Sequence, residues 1–398
     1  MPHHILALYS TGAKASVLQW AFDLRHELQK PVEPRHPEVV SRLHQSWDHA
    51  ADYLGNEDHY PDFLSYFQDV IKDYGYEQVV RDYLLRQTAA ADDLFVRLHA
   101  GVVHPLIQLM YGLEWKQPAV VAEALAETCV HGIEGLDQLL LPSESDTTQS
   151  SREKPRMKPI LDIFKDIIAD LRFDGATLLS DASKIQDGIL KRAKEPMLSI
   201  LRQVHIEDDE LEERTAEMFH AIILIASSAA LCPPYHVKYD FFLMHYVNSA
   251  LMYVSNLEHP WLTRAEKRRL LEYKIRLDLV QYVERGRPPI NIVAIYSYEP
   301  KVASNSSVRE IDRRLMEFGD DGHGIKQARA TAICYELMKD WENASWAILR
   351  GDDVWKKIQH MVVDSLEVDG PLYVGSAGFD ESWTVSDPMG GRRVVAEH

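Results

Sequence analysis

PAVVAEALAETCVHGIEGLDQLLL, residues 118–141, is the stretch on which the fold class turns. Val121, Ala122, Leu125, Ala126, Cys129 and Val130 recur at helical spacing with Glu123 and Glu127 beside them, which predicts an amphipathic helix over 118–141. Similar patterns run through 17–28, 63–71, 160–171, 211–231, 241–254, 264–283 and 354–366, and few segments alternate with period two. The expected class is therefore all-α. At 398 residues the chain exceeds the size at which single cores stop growing, so it is either one large helical domain or two intimately packed helical halves. The polar run PSESDTTQSSREKPRMKP (142–159) predicts an exposed connector between such halves. RGRPP (285–289) marks a second break, residues 291–308 read as loop, and no repeat period points to a solenoid.

Composition narrows the function classes. With 46% hydrophobic and 26% charged residues the chain is globular in character, and a net charge of −18 disfavours nucleic acid or anionic membrane as the main partner. Cys129, Cys232 and Cys334 are too widely spaced for a disulfide framework or a CxxC metal site, which points to a reducing compartment. No run of eighteen apolar residues is present and MPHHILALYS has no basic leader, so a soluble cytoplasmic protein is expected. No GxGxxG, P-loop, HExxH or GxSxG motif occurs; Gly322-His323-Gly324 lacks the third glycine and a preceding strand.

Histidines in helical, apolar settings carry the positive signal. His104 opens HPLIQLMYGLEW (104–115) ahead of Pro105, with Gln108 and Tyr111 on the same face. His245 lies in KYDFFLMHYVNSALMY (238–253), one turn after Phe241 and Phe242 and one turn before Asn248. A histidine buried there needs a hydrogen-bond partner or a metal, because an unpaired buried polar group costs about 1–3 kcal/mol. His220 sits among small and aliphatic residues, with Glu217 one turn back as a carboxylate that could orient its ring. In FGDDGHGIKQARA (318–330), Asp320-Asp321-Gly322 signals a turn, after which His323 and Lys326 share a helix face. A desolvated lysine has a lowered pKa, and its neutral amine can add carbon dioxide to form a carbamate, an anionic oxygen ligand. At the N-terminus only one of His3 and His4 can share the face of Ala7 and Leu8, and that is His4. His26, His36, His44, His49 and His59 lie in polar stretches and are expected to be solvated.

Taken in order, HHILALYSTGA, YLGNEDHYPDFLSYF, RLHAGVVHPLIQLMYGLEW, VVAEALAETCVH, EMFHAIILIASSAALCPPYHVKYDFFLMHYVNSALMY, RRLLEYKIRLDLVQYVERG, FGDDGHGIKQARA and GFDESW resemble the questin oxidase family across nearly the whole chain. The resemblance implies oxidative opening of anthraquinone or related aromatic polyketide rings, of Baeyer–Villiger type, with NADPH. It also implies an iron held by histidines and a carbamylated lysine, as in a ring-cleaving relative. Carried onto this chain, the ligands are His104, His245, His323, Lys326 and, as the fourth imidazole, His4; His220 is an alternate ligand or supporting group. Two departures stand out. Gln108 and Met110 replace a histidine and a glycine of the family's HPLIHLGYG, and the family pattern usually has a further segment upstream of this start.

The residues and the resemblance meet in one reaction class. A mostly imidazole site with one anionic oxygen suits iron(II), although nitrogen-rich sites also accept zinc, copper or nickel. Dioxygen and an electron-rich phenolic ring are the expected reactants. Tyr111, Asn248 and Gln108 are expected to orient the substrate, and Phe241, Phe242 and Met244 to give apolar contacts. Two rivals from other classes are a metal-independent acid–base enzyme and a non-catalytic helical protein that holds an aromatic intermediate. The oligomeric state stays open.

Overall fold

A computed structural model of the protein describes residues 2–26, 34–148, 156–302, 306–317, 321–367 and 370–384. The first part of the chain forms α1 (Pro2–Ser10), α2 (Ala15–His26), α3 (Pro37–Gln45), α4 (Tyr60–Tyr74), α5 (Tyr76–Val80), α6 (Ala89–Leu98), α7 (His104–Glu114), α8 (Pro118–Val130) and α9 (Asp137–Thr148). Then come α10 (Ile160–Ala169), α11 (Leu190–Arg192), α12 (Lys194–Leu201), α13 (Leu211–Ala229), α14 (Phe241–Ser249), α15 (Leu251–Glu258) and α16 (Arg264–Glu284). The last are α17 (Ile292–Tyr296), α18 (Val308–Ile311), α19 (His323–Met338) and α20 (Asp352–Leu366). Among the described residues the only strand-like pairing is a parallel bridge between Asp240 and Val374, so the fold is all-α.

Two boundaries differ from the sequence expectation. The helix predicted over 118–141 is two helices, because after Val130 the chain turns through Glu134 and Gly135, both at positive φ (56° and 87°), before α9 begins. The connector expected at 142–159 starts as helix, since α9 runs through Pro142 to Thr148. Its Ser143 is buried, and Glu144 accepts hydrogen bonds from Arg269 Nε and Tyr273 Oη of α16, each at 2.6 Å. Those charge-assisted bonds hold a polar sequence against the core. Residues 149–155 lie outside the described residues, and Met157 beyond them is buried. Part of the 291–308 stretch is also helical, as α17.

The centre of the molecule is α13, in which every residue from Arg214 to Ala229 is buried. A helix apolar on all sides needs neighbours on all sides, and α13 has them in α10, α14, α15, α16 and α19. The long α16 begins at a capping box in which Thr263 and Glu266 satisfy each other's backbone N–H groups. Its buried Arg276 donates to the carbonyl of Val204 at 2.8 Å. α14 packs against α7, α13 and α19, while α1 packs against α7 and α19. The start of α7, the middle of α14 and the starts of α1 and α19 therefore face one another. Asp240 caps α14 through Oδ1, which accepts from the N–H groups of Phe242 and Leu243 (2.8 and 3.1 Å). Its Oδ2 accepts from Ala377 N at 2.7 Å, and Phe241 N donates to Val374 O at 2.8 Å, fastening the chain after α20 to the same helix. Among the described residues no helix is long and apolar enough to cross a membrane.

Candidate metal centre

The site is assembled from the starts of α7 and α19 and the middle of α14. Pro105 at the first turn of α7 has no N–H to lose, and His104 before it projects from the helix end. The approach is unusual: Gly101, Val102 and Val103 all have left-handed φ (56°, 55° and 55°), a region that β-branched residues avoid. At α19 the turn is made by Gly322 at φ 89°, where a Cβ would stand 2.6 Å from the Cγ of His4. Only glycine fits there. The next residue is His323.

His104, His245 and His323 come together, each offering a ring nitrogen, with all three nitrogens within 4.8 Å of one another. Nε2 of His104 and Nε2 of His245 are 3.0 Å apart, and the His245 and His323 ring centroids are 4.6 Å apart. His245 Nδ1 sits 2.6 Å from the carbonyl oxygen of Phe241 and so carries the proton of the neutral ring, leaving the Nε2 lone pair facing the cluster. Nδ1 of His323 lies 2.7 Å from Asp321 Oδ1, which also accepts from Tyr373 Oη at 2.7 Å. This carboxylate, histidine and tyrosine chain sets the orientation of the ring. Burial raises the Asp321 carboxyl, but the contacts from His323 and Tyr373 more than offset it and hold the group well below the usual carboxylate range.

Burial, then Lys326 and His323, push His104 down to about 3. Burial, then His323 and His104, hold His245 well below the ordinary imidazole range. The rings of His104 and His245 are thus neutral near pH 7, the form in which imidazole binds a metal. Largely buried ring nitrogens converging within 4.8 Å of one another fit a cation.

Of the two N-terminal histidines, the one that reaches Lys326 is His3. Its Nδ1 is 3.0 Å from Lys326 Nζ, and its ring lies 6.4 Å from that of His104 and 6.1 Å from that of Tyr111. His4 is packed against Gly322 instead. Lys326 is buried, at 2% exposure. His220 stands elsewhere: its Nε2 accepts from the backbone N–H of Ile348 and Leu349 (3.1 and 2.9 Å), so it braces the chain ahead of α20. Glu217 does not orient that ring; it pairs with Arg214 (2.6 Å) and accepts from Ile160 N (2.7 Å). Gln108 donates to Glu123 at 2.6 Å, which occupies its amide. Tyr111 is buried with its hydroxyl pushed up to about 12 by burial, and Arg329 lies over its ring. Asn248 is buried, and its amide has no hydrogen-bond partner among the described residues.

Phe241 rests against both His245 and His323, with centroids at 4.5 and 5.3 Å, and Met244 is fully buried. Phe242 faces a cavity of about 500 Å3, whose wall also includes Gly101, Val102, Tyr246, Glu284 and Arg285. Residues adjoining His104 and His245 in the chain therefore line this cavity. Burial pushes Glu284 there up to about 7, despite the neighbouring Arg285. The sequence marks Asp321 only as a turn residue, favours His4 over His3, and gives no sign of Tyr373. Asp321 had a signal, since a carboxylate two residues before a ligand is within reach of its ring, whereas nothing around Tyr373 points to α19.

A family model described as questin oxidase-like matches residues 1–331. The chain belongs to the questin oxidase-like family. Among its curated relatives is a questin oxidase of Aspergillus terreus, 29% identical over 96% of this chain and 86% of the relative. The Baeyer-Villiger oxidase AgnL3 of Paecilomyces divaricatus is 30% identical over 97% and 85%. A questin oxidase of Aspergillus fumigatus is 31% identical over 96% and 86%. The matched residues 1–331 include all three clustered histidines.

Proposed function

We propose that this protein is an oxygen-dependent oxidoreductase that oxygenates or cleaves the ring of an anthraquinone or related aromatic polyketide at a non-heme iron centre. The observation that carries the reading is the convergence of His104, His245 and His323 from three separate helices. The names of the family's curated relatives, questin oxidase and Baeyer-Villiger oxidase, support the reaction class.

His104, His245 and His323 would hold the metal, with Lys326 as a carbamate and His3, in place of His4, beside it. When bound, iron supplies the one-electron chemistry that lets dioxygen react with an electron-rich ring. The protein's own groups do the rest. Phe241 shields the imidazole cluster, and a dry surrounding strengthens each polar contact within it. The buried amide of Asn248, one turn beyond His245 and without a partner among the described residues, would bond a phenolic or carbonyl oxygen, while Phe242 and Tyr246 offer ring faces in the cavity. Glu284, with its pKa near neutrality on that wall, holds a proton on its carboxyl group and exchanges it with a phenolic substrate. NADPH enters this scheme only as a source of reducing equivalents for a quinone.

Elemental analysis and oxygen uptake on freshly purified protein test the reading. Near-stoichiometric iron is expected in the unaltered chain and a loss of both iron and oxygen uptake in His245→Ala and Lys326→Ala. Metal-free protein that still turns over an aromatic substrate would return the histidines to acid–base roles.

A further inference from the structure

A second cluster lies at the junction of α3 and α4, built from two histidines expected to be solvated and a buried aspartate. His36 is the residue before α3, His59 precedes α4, and Asp62 lies in the first turn of α4. Nδ1 of His36 and Nδ1 of His59 each stand 2.9 Å from Asp62 Oδ2, and the two rings meet edge to face with centroids 5.5 Å apart. The other carboxylate oxygen, Oδ1, accepts from His36 N at 2.5 Å, so the carboxylate is fixed in its plane. Tyr53 packs on the His59 ring at 4.7 Å. Asp62 is fully buried, His59 is 18% exposed and His36 is 45% exposed.

A buried carboxylate normally gains a lysine or arginine partner. Here the neighbouring Arg35 bonds Ser65 instead, and the other charged groups close to His36 are Glu38 and Asp58, both acidic. The pocket is thus an electronegative corner closed by two imidazoles, open to water on the His36 side. We propose that His36, His59 and Asp62 form a divalent-cation site, separate from the centre at His104, for a borderline ion of the Zn2+ type.

The donor set decides the ion class. Two imidazole nitrogens and one carboxylate oxygen favour Zn2+, Co2+ or Ni2+ over Ca2+ and Mg2+, which take mostly oxygen. His59 and Asp62 are spaced i, i+3 across one helical turn, and His36 reaches them from α3, so the ion would staple the two helix starts together. Bonds of about 2.0 Å in a tetrahedron place ligand atoms about 3.3 Å apart, close to the separations present, and water would complete the shell on the open side. On binding, each imidazole turns its Nδ1 lone pair to the ion and carries its proton on Nε2 toward solvent; an imidazolium releases its extra proton.

Equilibrium dialysis of chelator-stripped full-length protein with Zn2+, and Co2+ absorption as a second probe, tests this site. The unaltered chain is expected to take up one equivalent more than His36→Ala/His59→Ala, and a His104→Ala/His245→Ala variant is expected to keep that equivalent. Zn2+ should also raise the melting temperature of the latter variant and leave that of a variant lacking both histidine pairs unchanged. Should the double alanine variant fail to fold, His36→Gln alone changes a half-exposed side chain and is expected to weaken Zn2+ about tenfold or more. Equal uptake with and without His36 and His59, or an unchanged affinity in His36→Gln, overturns the proposal.

Discussion

Neighbouring residues of a helix point about 100° apart, and that angle separates His3, which meets Lys326, from His4, which packs on Gly322. The choice between them is illegible in HHILALYS because both are followed by apolar residues and the phase is set by what α1 packs against. His104 and His245 stand in apolar helical contexts that make a solvated imidazole expensive, whereas His323 is marked only by the Asp-Asp-Gly turn and by Lys326 on its face. Asp321 shows the reverse case, a turn residue in the sequence that the fold also uses to aim His323. Asp321→Asn is expected to weaken metal binding about 10- to 100-fold with the fold intact, read by competition with a chromophoric chelator; unchanged affinity would remove Asp321 from the centre. Away from the centre, burial pushes His99 down from 6.5 to about 4 and His220 to about 3. The unfolded chain therefore binds more protons than the folded one through this range, and the stability these neutral rings contribute is complete above pH 6.5 and is lost as pH falls toward 4. His220→Gln should reduce the slope of unfolding free energy against pH in that window by up to about 1.4 kcal/mol per unit. Urea titrations at stepped pH measure it, and an unaltered slope would count against a neutral buried His220.

At the scale of elements, α13 is the easiest to read, because the run AIILIASSA (221–229) is apolar or small on every side and leaves a central helix as the economical answer. α8 and α9 are harder. Periodicity continues across 131–136, and only the backbone of Glu134 and Gly135 shows that the chain reverses there. The turns that deliver ligands carry the conformational cost. Val102 and Val103 in the left-handed region cost about 1–3 kcal/mol each, tolerated because Val103 is wholly buried and α7 is fixed by α8 and α14. Gly322→Ala would meet both a left-handed φ and the His4 ring, so it is expected to destabilise by about 2 kcal/mol or more and to abolish metal retention. Thermal melts together with metal content check this, and a variant that melts normally with full metal would show that the turn adapts.

For the molecule as a whole, the all-α class follows from composition and period, whereas the division into halves does not, because no local signal reports which distant helices pack. α9 meets α12 and α16, α7 meets α14 and α15, and α1 meets α19, so helices before residue 149 are interleaved with those after it. A single cooperative unfolding transition is the expected result of scanning calorimetry, with equal calorimetric and van't Hoff enthalpies. Two resolved transitions would show that the halves unfold independently.

Lys326 meets His3 across 323 positions of the chain, and Tyr373 closes on Asp321 later still. During synthesis the first helix leaves the ribosome long before either partner exists. It can rest on α7 in the meantime, but His3 has no Lys326 to meet until α19 follows. The centre is consequently completed only once α19 is in place, and a fusion placed ahead of α1 would sit at the edge of the imidazole cluster.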